Sequence, residues 1–222
     1  METNDGKVSF EGGRDRGQGG LRHDTTFWRT WAGIEGAIYE MRVLWDEHKA
    51  EEDWGFLLID ARNTFNEENQ IAMLWAVRNE WPRGAQFTFN CYRQWATLVV
   101  RDTGGGSGNF MHSKEGVTQG DPLAMIAYGI GFLPLFRVLR SAHLRVTKPW
   151  YADDAGAGGT FQQVQENFRD LQERGPARGY YPDPTKRILV VAPGNVAWDK
   201  EHFRGLGIRV VTGHRYLGGF IG

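Results

Sequence analysis

The chain has 222 residues, 41% of them hydrophobic and 24% charged, which is the range of one ordinary globular domain with a sizeable buried core. Its single cysteine, Cys91, excludes an intramolecular disulfide and makes a reducing intracellular compartment, nuclear or cytoplasmic, the default. No apolar run approaches the roughly 20 residues that span a bilayer, no signal peptide opens the chain, and a net charge of -1 shows none of the basic excess usual in proteins that grip a phosphate backbone.

Residues 1–24 mix glycine with both charge signs and show no sustained period, so a flexible leader is predicted ahead of one folded domain at 25–222. Ile34, Ile38, Met41 and Trp45 recur at helical spacing and predict an amphipathic helix within residues 26–50. The run Trp54-Gly55-Phe56-Leu57-Leu58-Ile59-Asp60 is short, apolar and ends in an acid, as in a buried central strand that delivers a carboxylate at its tip. Asn66 is placed to cap a following helix, with Glu67 and Glu68 in its first turn. Ile71, Leu74, Trp75 and Arg78 continue that helix until Pro82 stops it. A short helix is predicted near residues 85–93, and residues 96–101 and 109–113 flank the glycine-rich stretch 103–108 as a β-hairpin. Asp121 and Pro122 supply an N-cap and a first-turn proline for a helix reaching about Arg140, with Pro134 inside it.

A further strand ends at Trp150-Tyr151-Ala152-Asp153-Asp154, and the Ala155-Gly156-Ala157-Gly158-Gly159 return should be loose, because glycine and alanine disfavour strands. Phe161, Val164, Phe168 and Leu171 mark an amphipathic helix closed by Gly175, and residues 188–192 and 208–211 are short strands. The expected class is α+β, a sheet with helices on one face.

Two strand tips bearing acids, Asp60 and the Asp153-Asp154 pair, have the chemistry of a two-metal site if the fold sets them side by side. Mg²⁺ takes hard oxygen ligands, and two such ions can activate an attacking hydroxyl and stabilise a leaving pyrophosphate. Taken alone, Tyr-Ala-Asp-Asp-Ala-Gly reads more readily as a turn, since Asp and Gly favour turns. Asp60 could equally cap a helix, Phe65 fill a core and Lys186 sit solvated on the surface.

Five segments in order reverse that balance. Leu58-Ile59-Asp60-Ala61-Arg62-Asn63-Thr64-Phe65-Asn66 is followed by Glu115-Gly116-Val117-Thr118-Gln119-Gly120-Asp121-Pro122-Leu123, then Tyr151-Ala152-Asp153-Asp154. Gly179-Tyr180 through Lys186 and Tyr216-Leu217-Gly218-Gly219 complete the series. The series resembles the ordered motifs of reverse transcriptases, particularly those of non-LTR retrotransposons, over residues 33–222. The resemblance implies a polymerase palm, a small antiparallel sheet packed on helices, acting on dNTPs and an RNA or DNA template-primer. It implies that Asp60 and Asp153 hold two Mg²⁺ ions, with Mn²⁺ as substitute and the Ala61 carbonyl as a further ligand, while Asp154 orients metal or primer. Phe65 would lie under the sugar and exclude a 2′-hydroxyl, and Gln119, Gly120 and Pro122 would shape the nascent base-pair pocket. Lys186 would protonate the departing pyrophosphate, and Tyr216, Leu217 and Gly218 would grip the primer end.

A full enzyme of this family adds fingers before the first motif and a thumb after the fifth. Here only residues 33–51 resemble the end of the fingers, so the expectation is a palm with partial fingers and no thumb, and no endonuclease or ribonuclease H segment is recognisable. The absent parts are normally basic, which accounts for the missing positive charge. Three readings follow: an RNA-directed DNA polymerase fragment, a non-catalytic retroelement remnant with a folded palm, or another palm enzyme such as an RNA-directed RNA polymerase or a nucleotide cyclase. Phe65 disfavours RNA synthesis, and the Gln119-Gly120 turn with a primer-grip motif disfavours a cyclase.

Overall fold

The structure, a computed structural model, describes residues 33–100, 109–118, 120–196 and 203–222. The leader expected at 1–24, the 103–108 loop and Gln119 lie outside the described residues. The first half of the chain runs α1 (Gly33–His48), β1 (Trp54–Ala61), the single turn α2 (Thr64–Glu67), α3 (Gln70–Glu80), α4 (Pro82–Tyr92), β2 (Ala96–Val100) and β3 (Asn109–Ser113). It continues through α5 (Ala124–Ala142), β4 (Trp150–Tyr151), β5 (Asp154–Thr160), α6 (Phe161–Arg174), β6 (Pro182–Val191), β7 (Arg209–Val211), β8 (His214–Tyr216) and β9 (Gly219–Ile221). Five strands form one sheet in the order β4-β5-β1-β6-β7, antiparallel except for the parallel β6–β7 pair. Two hairpins, β2–β3 and β8–β9, stand apart from it.

The two-residue alternation of a strand divides the core. On β1, Leu57 and Ile59 face a cluster with Met73 and Val77 of α3, Phe132 of α5 and Phe168 of α6. Trp54, Phe56 and Leu58 face the other way, onto Met41, Leu44 and Trp45 of α1 and Tyr216 and Ile221 of the β8–β9 hairpin. Helices on one face alone were expected, but the sheet is covered on both. A strand with large apolar side chains on both faces requires this, because each one left exposed would forfeit about 1.5–3 kcal/mol of burial.

The return strand departs most from expectation. β5 is a full strand in register with β1 from Trp54↔Thr160 to Asp60↔Asp154, and its interior residues are buried. A Cβ on Gly156 would lie 2.9 Å from the Phe56 ring and 2.9 Å from Pro149, and one on Gly158 3.0 Å from the same ring. The glycines that weaken the strand by propensity are what let the Phe56 ring pack between strand and α1 side. Gly156→Val is therefore expected to cost about 1–3 kcal/mol through overpacking; an unchanged urea midpoint would contradict this account.

Local chemistry also shifts three helix ends. Asn69, not Asn66, caps α3, its side chain accepting from Ala72 N at 2.9 Å. Asn66 instead donates to Asn63 Oδ1. α3 ends at Glu80, ahead of Pro82 as expected, and Pro82 itself opens α4, three residues before the helix expected from 85. Asp121 accepts from Leu123 N at 2.9 Å, and regular α5 starts three residues later at Ala124. On α3 the buried stripe is Met73, Ala76 and Val77, while Ile71 and Trp75 are 81% and 59% exposed. α5 is, among the described residues, the one helix long and apolar enough to cross a membrane, yet half of that stretch is buried inside the domain.

Candidate active site

The sheet register assembles the site. Asp60, the last residue but one of β1, lies on the side of Phe56 and Leu58, and its direct cross-strand partner is Asp154, so both carboxylates leave the sheet on one face. Lys186 lies on the neighbouring β6 with the parity of Ile188, which is paired to Leu58. Its Nζ donates to Asp60 Oδ2 at 3.0 Å. The alternate residue Arg187 points to the other face, its guanidinium 5.1 Å from the Phe168 ring centre.

Asp153 sits in the two-residue turn between β4 and β5, where Ala152 takes a left-handed φ of 51°. Tight hairpin turns of this kind normally take Gly or Asn, and an alanine there costs about 1–2 kcal/mol. Buried donors hold it. Trp150 Nε1 and the Tyr128 hydroxyl donate to the Ala152 carbonyl at 2.9 and 3.2 Å, and the Tyr180 hydroxyl donates to the Asp153 carbonyl at 3.1 Å. Phe65 stacks on Tyr128 with ring centres 4.4 Å apart, so the aromatic residue of the first motif and the acidic turn share one support. The second motif is tied to the same place: Val117 N donates to the Phe65 carbonyl at 2.6 Å and Gly116 N to the Glu68 carbonyl at 2.7 Å.

A cleft of about 380 Å³ opens beside the acids, lined by Asp60, Asp154, Lys186, Arg209, His214 and Tyr216 among others. Leu217 lines it too, whereas Gly218, Gly120 and Pro122 do not; Gly120 and Pro122 lie in the exposed turn ahead of α5. Burial, then Asp153 and Asp60, push the Asp154 carboxyl up to about 7, with Lys186 opposing. Burial and then Asp60 likewise raise Asp153. The hydrogen bond to Asp60, and then its charge, raise the Lys186 ammonium. Burial and then Arg209 hold the His214 imidazole below its ordinary value. One wall of the cleft is thus acidic and the other basic.

Of the residues singled out for the site in the sequence, Asp60, Asp154, Lys186, Tyr216 and Leu217 come together at the cleft and Asp153 stands in the adjoining turn, whereas Arg209, His214 and Arg215 of the basic wall and the supports Tyr128, Trp150 and Tyr180 are not among them. His214 and Arg215, directly before the fifth motif, were a readable signal. The three supports act through hydrogen bonds to main-chain carbonyls, which leave no pattern in sequence.

Among the described residues no three His, Cys, Asp or Glu side chains are drawn into a metal-ligating cluster. The donor chemistry nonetheless fits magnesium. The three acids are hard oxygen donors whose crowding a cation would relieve. The Tyr216 hydroxyl, buried and without a hydrogen-bond partner among the described residues, is an orphaned polar atom at the same cleft.

A small, largely antiparallel sheet packed on helices, with an acid-bearing hairpin beside its central strand, is a polymerase palm-like fold. Solved telomerases share it. The chain matches apo telomerase from Candida tropicalis, truncated from its C-terminal domain, with TM-score 0.56 and 16% identity over 76% of this chain and 36% of that one. It matches telomerase from Candida albicans, in complex with the TWJ fragment of telomeric RNA, with TM-score 0.57 and 12% identity over 76% of this chain and 32% of that one. The chain spans about a third of the length of these telomerases, and at such identities the likeness is one of fold. No protein-family model matches the sequence, and no curated protein matches it significantly.

Proposed function

We propose that the chain is the palm of an RNA-directed DNA polymerase of the non-LTR retrotransposon type, adding dNTPs to a primer 3′-hydroxyl on an RNA or DNA template. The observation that carries this reading is the Asp60↔Asp154 cross-strand pair, with Asp153 in the adjoining turn and Lys186 on the same face of a palm-like sheet. Asp60, the Ala61 carbonyl, Asp153 and Asp154 would hold two Mg²⁺ ions, or Mn²⁺ in their place. Bound there, the metal would supply charge stabilisation at the attacking and leaving oxygens.

The chain's own residues do the rest. The rigid Trp150, Tyr128 and Tyr180 supports fix the acidic turn, and Phe65, backed by Tyr128, presents a steric gate to the sugar. Gln119, Gly120 and Pro122 would border the incoming base pair. Tyr216 and Leu217, with Arg209 and Arg215 beside them, would offer the basic side of the cleft to the primer backbone, with Gly218 in the turn that follows. Lys186 donates its proton to the departing pyrophosphate, a contribution of about 10²- to 10⁴-fold.

Primer extension on an RNA template with dNTPs and Mg²⁺ or Mn²⁺ tests the reading. Extension is expected from the unmodified chain and is expected to vanish in Asp153→Ala, which loses more than Lys186→Ala does. Equal extension by Asp153→Ala would remove the metal role from the acids. A folded palm without catalysis is the second reading, favoured by the absence of a gathered ligating cluster among the described residues. Folded protein that binds template yet extends nothing assigns it.

A further inference from the structure

The Lys186–Asp60 contact is a direct ion pair at 3.0 Å across adjacent strands, on the face where the acids gather. It is also a half-open one. The Lys186 side chain is 56% exposed and that of Asp60 30%, so water and counterions compete for both partners. Arg209 and Arg215 line the same cleft, but neither side chain has a hydrogen-bond or ion-pair partner among the described residues. Lys186 is therefore the cleft cation engaged on an acid, while its neighbours act only through their field. An ammonium at hydrogen-bond distance from one carboxylate oxygen occupies the position a divalent ion on that oxygen would need. Two cations cannot share it without strong repulsion.

We propose that Lys186 is a built-in competitor for the cation position on Asp60. It neutralises that carboxylate in the unloaded chain and must be released before a divalent cation can bind there. Its grip thereby sets the cation affinity of the site. The released ammonium is then free to face the leaving phosphate only when the site is loaded. This inference rests on the metal role proposed for Asp60.

Mn²⁺ binding to the purified chain, followed by the electron paramagnetic resonance of free Mn²⁺ at fixed pH and ionic strength, tests it without any turnover. The set is the unmodified chain, Lys186→Gln, Arg215→Gln and Asp60→Asn, each checked for folding by circular dichroism. Lys186→Gln is expected to tighten Mn²⁺ binding about three- to tenfold, because a half-exposed pair and its local repulsion are removed together. Arg215→Gln, which removes a cleft charge but no carboxylate contact, is expected to change it by less than about twofold. Asp60→Asn is expected to weaken it. Equal tightening by Lys186→Gln and Arg215→Gln overturns competition in favour of the general field of the cleft. Unchanged or weaker binding in Lys186→Gln overturns the competition while a loss in Asp60→Asn keeps the metal role of Asp60. No binding by either the unmodified chain or Lys186→Gln overturns both.

Discussion

Gly179→Ala is expected to be the most damaging conservative substitution in the domain, lowering stability by roughly 4 kcal/mol or more. Gly179 closes the 3₁₀ turn Gly175–Arg178 with a φ of 82°, a left-handed conformation that a side chain disfavours. The conformational cost alone is about 1–2 kcal/mol. A Cβ there would also lie 2.6 Å from the Glu67 carbonyl carbon and 2.6 Å from Glu68 Cα, and closer still to the Glu67 carbonyl oxygen. Backbone cannot rotate away as a side chain can, and this backbone is pinned on both sides. Asn69 N donates to the Arg178 carbonyl at 3.1 Å, and Arg62 N to the Tyr181 carbonyl at 2.8 Å. Any shift that relieves the clash moves Tyr180, whose ring is fully buried and whose hydroxyl holds the Asp153 carbonyl. Stability and the acidic turn should therefore fail together. Gly120→Ala separates strain from collision: its φ is 92°, but nothing lies within 4 Å of the added carbon. It should cost only the conformational part. Urea unfolding should put the Gly179→Ala midpoint about 2 M below that of the unmodified chain, taking an m-value of about 2 kcal/mol/M. A shift no larger than that of Gly120→Ala would show that the 179 turn is not the rigid tie described.

How much of this can be read in the sequence depends on whether the signal is local. β1 is legible because an apolar run ending in Asp60 has few alternatives, and α6 because Phe161, Val164, Phe168 and Leu171 leave no second stripe. α3 carries two stripes, and tertiary fit chooses the smaller one. Ala76 beside Met73 and Val77 lets α5 approach with its own Ala127, Gly129 and Gly131, while Ile71 and Trp75 stay outside. β5 fails by propensity because its glycines answer to Phe56, a partner on another strand. The acids themselves are legible as chemistry. That Asp60 and Asp154 share a face is a fact of register, and no local pattern contains it. Lys186 is legible only as a member of an ordered series; its ion pair with Asp60 appears when β6 is laid beside β1.

Glu68 is the residue whose local reading and tertiary setting conflict most, and replacing it should stabilise the protein at neutral pH. A glutamate in a helix's first turn is normally a solvated partner of the helix dipole. Here the side chain is turned inward, 2% exposed, with its Oε1 against the space beside Gly131 and neither carboxylate oxygen hydrogen-bonded among the described residues. Burial holds the Glu68 carboxyl well above its ordinary value of 4.5, and Arg178 offsets this only in part. In the unfolded chain the group ionises near 4.5, whereas the folded chain keeps it protonated to a much higher pH. Below 4.5 both states bind the proton and Glu68 contributes no pH dependence. As pH rises above that, only the unfolded state gains by ionising, so stability falls by up to about 1.4 kcal/mol per pH unit until the folded group also ionises. Glu68→Met keeps the length of the side chain and removes the acid. It should be more stable than the unmodified chain by at least about 1–3 kcal/mol at pH 8, since a buried unpaired polar group costs that much at any pH and ionisation of the unfolded chain adds to it above pH 4.5. The advantage should shrink toward pH 4. Urea unfolding of both proteins at half-unit steps from pH 4 to 8 measures the difference, and parallel stability curves would show that Glu68 is solvated or paired after all. A rise that appears only above pH 5 would identify a carboxyl kept neutral beneath Tyr128, the residue that braces both Phe65 and the acidic turn.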